Sequence, residues 1–219
     1  IYRNVWLYDK PTYFIKDVFV QTKTLDTVSI SIQTDGLVPI DSYQVKILDS
    51  KGEIITQQAV SINTRQIQIP VKNIHAWTAE SPTLYRCIVE LGDDTFVTNF
   101  GFRTIRFDQN NLYINDQKVF LRGLNRHQCY PYIGYAAVDS LQEEDARILK
   151  EELHVNAVRT SHYPQSQSFI DACDRYGLYV FTEIPGWQHI GDQTWKQQAI
   201  RNTEDMVLQY RNHPSIILW

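Results

Sequence analysis

The chain has 219 residues, with 25 acidic against 21 basic side chains, a formal net charge of −4 and the two signs interspersed; no basic stripe is present to neutralise phosphates, which sets nucleic acid aside as a partner. No run approaches the ~18 consecutive apolar residues of a membrane span. Cys87, Cys129 and Cys173 lie far apart without a CxxC pair, which argues against a disulfide framework and a structural zinc site and for reduced, packed thiols suited to the cytoplasm.

The N-terminus, IYRNVWLYDK, carries no initiator Met, basic leader or apolar core of a signal peptide. In residues 1–107 apolar and polar side chains alternate in short runs, at 28–32, 43–47, 66–69 and 85–91, broken by turn signals at Thr34-Asp35-Gly36, Ser50-Lys51-Gly52 and Gly92-Asp93-Asp94. Period-two runs of this kind are half-buried strands, and about seven in ~100 residues fit an immunoglobulin-like β-sandwich.

The pattern changes after Phe107. Residues 110–121 read as a hairpin turning at Asn115-Asp116, its second arm continuing to Asn125. Ser140 and Glu143 form a capping-box pattern, and Leu141, Ile148, Leu149 and Leu153 share a helical face as far as His154. A strand at 155–161, a helix at 165–176 stopped by Gly177, a strand at 178–184, a helix at 193–211 and a strand at 216–219 follow. Strands alternating with helices imply parallel βαβ units. The turn after the first of these strands, Gly123-Leu124-Asn125-Arg126-His127, lacks a phosphate-binding glycine pattern. Polar residues gather instead at the C-terminal ends of successive strands (Asn125 and His127, Arg159 and His162, Glu183), where a (β/α)8 barrel keeps its site. The predicted architecture is therefore multi-domain: a sandwich at 1–107, then the first half of a TIM barrel at 108–219. The final residues, Ile216-Ile217-Leu218-Trp219, read as a strand rather than a polar tail, so a longer parent protein is expected.

His, Arg, Asn and Glu without a phosphate cradle offer hydrogen bonds suited to carbohydrate hydroxyls. Trp187 and Trp195 flank the loop after the third strand, and a Trp at a barrel mouth can stack on a sugar ring or simply pack the loop. The segments FGFRTI, FLRGLNRHQ, NAVRTSHYP, CDRYGLYVFTEIPG and RNHPSIILW together resemble glycoside hydrolase family 2, the family of β-galactosidases and β-glucuronidases, over nearly the whole chain.

The resemblance implies a retaining mechanism run by two glutamates. It puts the acid/base in an Asn-Glu pair shortly after Trp219 and the nucleophile near the end of the seventh barrel strand, so no catalytic carboxylate is expected within the chain. It maps Arg159 to an arginine that hydrogen-bonds the nucleophile, and His162 and His127 to histidines that contact sugar hydroxyls. Asn125 and Trp187 join them as candidate substrate contacts. Glu183, at the end of the third strand, maps to a support that orients its neighbours rather than reacting. His189 fits a substrate contact or a loop cap, and His75, His154 and His213 show no function.

Where β-galactosidases of the family carry an acidic magnesium ligand, this chain has Pro185-Gly186-Trp187. A Trp cannot ligate a hard cation, so neither metal nor other cofactor is expected. Asn125-Arg126-His127 and Ser161-His162-Tyr163-Pro164 look more like the β-galactosidase forms than the glucuronidase ones. The expected partners are a carbohydrate substrate and, through homo-oligomerisation, further copies of the chain, with no membrane or nucleic acid. Two alternatives stand beside the glycosidase: a metal-dependent barrel hydrolase, which needs a His-x-His after the first barrel strand that Asn125-Arg126-His127 does not supply, and a non-catalytic carbohydrate-binding or adhesion module.

Overall fold

The computed structural model describes residues 3–36, 40–186 and 188–219. The chain forms two compact units: Trp6–Thr78 with Thr83–Lys118, and Ile1–Val5 with Ala79–Pro82 and Val119–Trp219.

The first unit is built on the predicted alternation. Strands β1 (Phe14–Gln21), β2 (Thr27–Asp35), β3 (Ser42–Leu48), β4 (Ile54–Ser61), β5 (Gln66–Pro70), β6 (Tyr85–Leu91) and β7 (Asp94–Phe100) form a three-stranded sheet, β1-β2-β5, and a four-stranded sheet, β4-β3-β6-β7. Their neighbours pair antiparallel. On β6 the side chains of Tyr85, Cys87, Val89 and Leu91 are buried and those between them are not. They enclose one core with Val28, Ile30, Val45, Ile47 and Phe102, where each fully buried branched or aromatic side chain contributes about 1.5–3 kcal/mol.

After β7, strands β8 (Ile105–Asp108), β9 (Asn111–Ile114) and β10 (Gln117–Val119) form a small sheet in the order β10-β9-β8. Asn115 and Asp116 make its turn with φ of 51° and 60°, as a tight hairpin between right-twisted strands requires. The second arm ends at Val119 rather than running on to Asn125. The chain breaks at Phe120 to Arg122 and resumes as a strand of a different sheet, pairing with residues 157–160, where a glycine is needed at 123 because a Cβ on it would meet the Ala157 carbonyl oxygen at 2.5 Å.

That sheet belongs to the second unit. Strands β11 (Gly123–Arg126), β12 (Ala157–Thr160), β13 (Tyr179–Phe181) and β14 (Ile216–Leu218) lie side by side in chain order and pair parallel. Helices α1 (Asp139–Arg147, continued by a π-helical turn, Ile148–Glu152), α2 (Gln167–Tyr176) and α3 (Gln193–Tyr210) connect them. Val158, Val180 and Ile216 of the sheet share a core with Ala146, Leu149, Phe169, Ile170, Cys173, Met206 and Tyr210 of the helices. The predicted capping box does not form. Val138 is the residue before α1 and gives no side-chain cap, and Ser140 lies inside the first turn. The buried face is Gln142, Ala146 and Leu149, while Leu141 and Leu153 are exposed, since a buried arginine of β11 draws Gln142 inward. Helix α2 is capped by Ser166 and ended by Gly177 at φ 78°. A Cβ at Gly177 would lie 2.2 Å from the Ala79 carbonyl oxygen. Cys87 and Cys173 are buried as expected of packed thiols, whereas Cys129 is exposed; it sits in the long loop between β11 and α1, outside both cores.

Candidate functional site

The parallel register sets Asn125 of β11 beside Arg159 of β12, and Arg159 beside Phe181 of β13. Side chains alternate across a strand, so Asn125 and Arg159 share the face opposite Val158 and Val180, which are packed against the helices. That face is the inside of the barrel half.

Arg159, His162 and Glu183 meet at the carboxyl ends of β12 and β13. Arg159 Nη2 donates to Glu183 Oε2 at 2.9 Å, and His162 Nδ1 lies 3.0 Å from Glu183 Oε1 and 3.3 Å from Arg159 Nη2. The Ser161–His162 peptide is cis. A carboxylate can only accept, so in the Glu183 contact Nδ1 carries the hydrogen, which leaves Nε2 for a further hydrogen bond. The three side chains are 23–40% exposed, so the ion pair orients more than it stabilises. His127 stands edge-on to His162 with ring centroids 5.4 Å apart. Its ring is 6.1 Å from that of Tyr163, which in turn packs edge-to-face with Tyr135 at 5.6 Å. Burial pushes the Tyr163 hydroxyl up to about 12, with its hydrogen bond to Tyr135 adding to it.

The structure thus gathers Arg159, His162, Glu183 and His127 into one cluster and puts Asn125, exposed, on the neighbouring register position. Trp187 lies outside the described residues. Trp195 is in the first turn of α3, where Asp192 Oδ1 accepts from its backbone N–H at 2.9 Å and its ring packs over Gly186 and edge-on to His189. Its ring is thus packed within the loop, with the His189 ring edge-on against it.

One residue of the first motif was not singled out by sequence reasoning. Arg126 is 6% exposed and points to the helix side, donating to Asp145 at 2.7 and 2.9 Å, to Tyr130 Oη at 2.9 Å, to Gln142 at 2.7 Å and to Gln165. Strand alternation after Asn125 signalled its direction, but partners 19 and 39 residues away were not legible. Burial and the hydrogen bond to Asp145 raise the Tyr130 hydroxyl to about 12.

Among the described residues, Asp171, Asp174 and His213 bring their ligand atoms within 4.8 Å of one another. Hydrogen bonds account for this group: Asp174 Oδ2 takes His213 Nδ1 at 2.5 Å, and Oδ1 accepts from the Ser215 N–H at 3.0 Å. Burial pulls the His213 imidazole down, but Asp174 and Asp171 outweigh it and hold the ring above its ordinary value.

A family model described as the TIM barrel domain of glycosyl hydrolases family 2 matches residues 105–219, and one described as glycosyl hydrolases family 2 matches 13–103. The chain is 44% identical to a β-galactosidase of Thermoanaerobacter pseudethanolicus and 40% identical to one of Thermoanaerobacterium thermosulfurigenes. All of the chain is covered in both cases, against 32% and 33% of those proteins, so it spans about a third of their length. Among solved structures, a β-glucuronidase of Bacteroides uniformis superposes at TM-score 0.85 with 30% identity, over 96% of this chain and 28% of that one. A Bifidobacterium dentium β-glucuronidase complexed with coumarin-3-O-glucuronide gives 0.85 at 25% identity, over 94% and 37%. The family's two domain models match residues 13–103, which carry the seven strands of the sandwich, and residues 105–219, which carry the parallel βαβ units, so the chain belongs to glycosyl hydrolase family 2.

Proposed function

We propose that this chain supplies the sugar-facing half of the active centre of a retaining exo-β-glycosidase that takes terminal β-galactosides. The observation that carries the reading is the Arg159–Glu183–His162 cluster with His127 beside it, on the barrel face at the carboxyl ends of neighbouring parallel strands. His162 Nε2 and the His127 ring offer hydrogen bonds to hydroxyls, Glu183 holds Arg159 and His162 in place, and Arg159 brings a fixed positive charge to where an attacking carboxylate would stand. The galactose preference rests on relatives at 44% and 40% identity that are named β-galactosidases. The second reading, a β-glucuronidase, rests on solved neighbours at 25–30% identity. The chemistry is carboxylate chemistry and uses no metal, and the reduced thiols, one of them exposed, suit the cytoplasm.

The test is a chain extended after Trp219 by the part of the T. pseudethanolicus β-galactosidase that follows its matched region. The extended chain should hydrolyse 4-nitrophenyl β-galactoside with retention, faster than the β-glucuronide and unaffected by a chelator, while the 219-residue chain alone hydrolyses neither. A preference for the glucuronide selects the second reading. Inactivity toward both, in an extended chain that folds cooperatively, refutes the glycosidase reading.

A further inference from the structure

The sheet leaves a question at β11. Asn125 and His127 belong to the sugar-facing side, yet the residue between them is a buried arginine pointing the other way. A buried ion pair stabilises no more than a well-packed apolar side chain of the same size, because both charges must be stripped of water. Leu or Met at position 126 would pack on Phe169, whose ring lies 3.9 Å beneath the guanidinium, without that cost. What an apolar side chain cannot do is hold several polar groups at fixed angles, as a planar five-donor fork does.

The groups held by this fork come from two loop roots. Tyr130 is in the loop that leaves β11 and carries His127; Gln165 is in the loop that leaves β12 and carries His162. Arg126 donates to both side chains, from Nη2 and Nη1 respectively. Asp145 and Gln142 of α1 anchor the guanidinium from the third side, and Tyr130 Oη reaches Asp145 at 2.7 Å and the Leu141 carbonyl at 3.1 Å. A further tie between the same loops lies nearby: Gln128 Oε1 accepts from the Ser166 N–H at 2.7 Å, and its own N–H donates to Tyr163 Oη at 3.2 Å.

We propose that Arg126 is a positioning residue that sets the spacing of His127 and His162 by tying together the roots of the two loops that bear them. Its bearing on catalysis rests on the sugar-site reading above; its control of the histidine spacing does not, and is measured without any sugar.

The experiment uses the 219-residue chain with 13C-labelled histidine. The wild type is expected to show a nuclear Overhauser contact between the His127 and His162 rings. Arg126→Lys, which keeps the charge but not the fork, should lose that contact while unfolding remains cooperative. If Arg126→Lys does not fold, Gln165→Ala and Tyr130→Phe each remove one arm, and weakening of the contact in either at near-native thermal midpoint supports the proposal. In the extended chain Arg126→Lys should lower kcat/KM for the β-galactoside about tenfold or more. In a background already carrying His127→Ala and His162→Ala, the same change should cost less than about twofold, since a residue acting through the histidines has nothing left to position. An unaltered ring contact in every foldable variant, or an equal loss of rate in the two backgrounds, would overturn it and leave Arg126 a fold-stabilising residue only. Inactivity of the extended wild type would count against the sugar reading, and the ring contact would still decide the role of Arg126.

Discussion

At the scale of single residues, Arg159, His162 and Glu183 touch one another but are expected to fail differently when removed. In the extended chain, the role proposed for Arg159, a cation beside an attacking carboxylate, predicts that Arg159→Ala lowers kcat more than it raises KM. The role proposed for His162, a hydrogen bond to one sugar hydroxyl, predicts that His162→Ala costs about 1–3 kcal/mol in kcat/KM. Glu183→Gln keeps the shape but can no longer accept from both neighbours, so the His162 ring is freed to take either tautomer. A loss of about 10–100-fold in kcat/KM is expected from such an orienting group. Steady-state kinetics on the three variants separates the roles; equal effects on kcat and KM in all three would show that they act as one structural unit. Arg159, His162, His127 and Asn125 were legible in the sequence because each sits where a strand pattern ends, and strand ends form the barrel's functional face. Glu183 was marked as a support for its neighbours on the same grounds, but not which ones, since its bridging of Arg159 and His162 depends on β13 pairing beside β12 across 24 and 21 positions of chain.

At the scale of elements, α2 and β14 are joined by Asp174 and His213. The carboxylate of Asp174 is buried and takes both the His213 ring and the Ser215 N–H that opens the strand. Asp174→Ala takes this acceptor from the His213 ring and from the Ser215 N–H and should lower stability by about 3 kcal/mol in denaturant unfolding. Folding raises the His213 value above that of the unfolded chain, so this link contributes fully below about pH 6.5 and weakens as pH climbs through the raised folded value. Asp171, which burial also raises, drifts in the same direction with pH. The stability gap between wild type and His213→Gln should therefore narrow from pH 6 toward alkaline pH, which thermal melts across that range will show; a gap that widens would contradict the assignment. Gly177→Ala should cost more than the ~1–2 kcal/mol of a left-handed alanine, because its Cβ also meets the Ala79 carbonyl. The sequence marked Gly177 as a helix stop, but not the backbone packed against it.

At the scale of the whole molecule, β11 and β14 are the outer strands of the parallel sheet, and edge strands are templates for pairing. The exposed side of α3 carries a shallow trough of about 600 Å³ lined by Ala199, Ile200, Thr203, Glu204, Val207 and Leu208. Ile200 is 59% and Leu208 54% exposed, and Leu218 and Trp219 of the last strand are 43% and 47% exposed. Covering such apolar area gains about 25 cal/mol per Å². We expect the 219-residue chain to self-associate through the apolar face of α3 at tens of micromolar, by light scattering, and Ile200→Glu with Leu208→Glu to shift it toward the monomer. A wild type that stays monomeric under those conditions would refute this.

Local patterns fixed what local physics decides. Alternation marked the strands of the sandwich, helical spacing and Gly177 marked α2, and the succession of strand and helix implied a parallel sheet, because each depends on neighbours in the chain. The tertiary structure decided what depends on distant residues. It ended the hairpin at Val119, since residues 123–126 pair instead with the distant residues 157–160. It turned α1 so that Gln142 rather than Leu141 is buried, since Arg126 needs an acceptor there. It also made a hub of Arg126, because a buried guanidinium can be satisfied only where folding brings Tyr130, Asp145 and Gln165 to it from three separate segments.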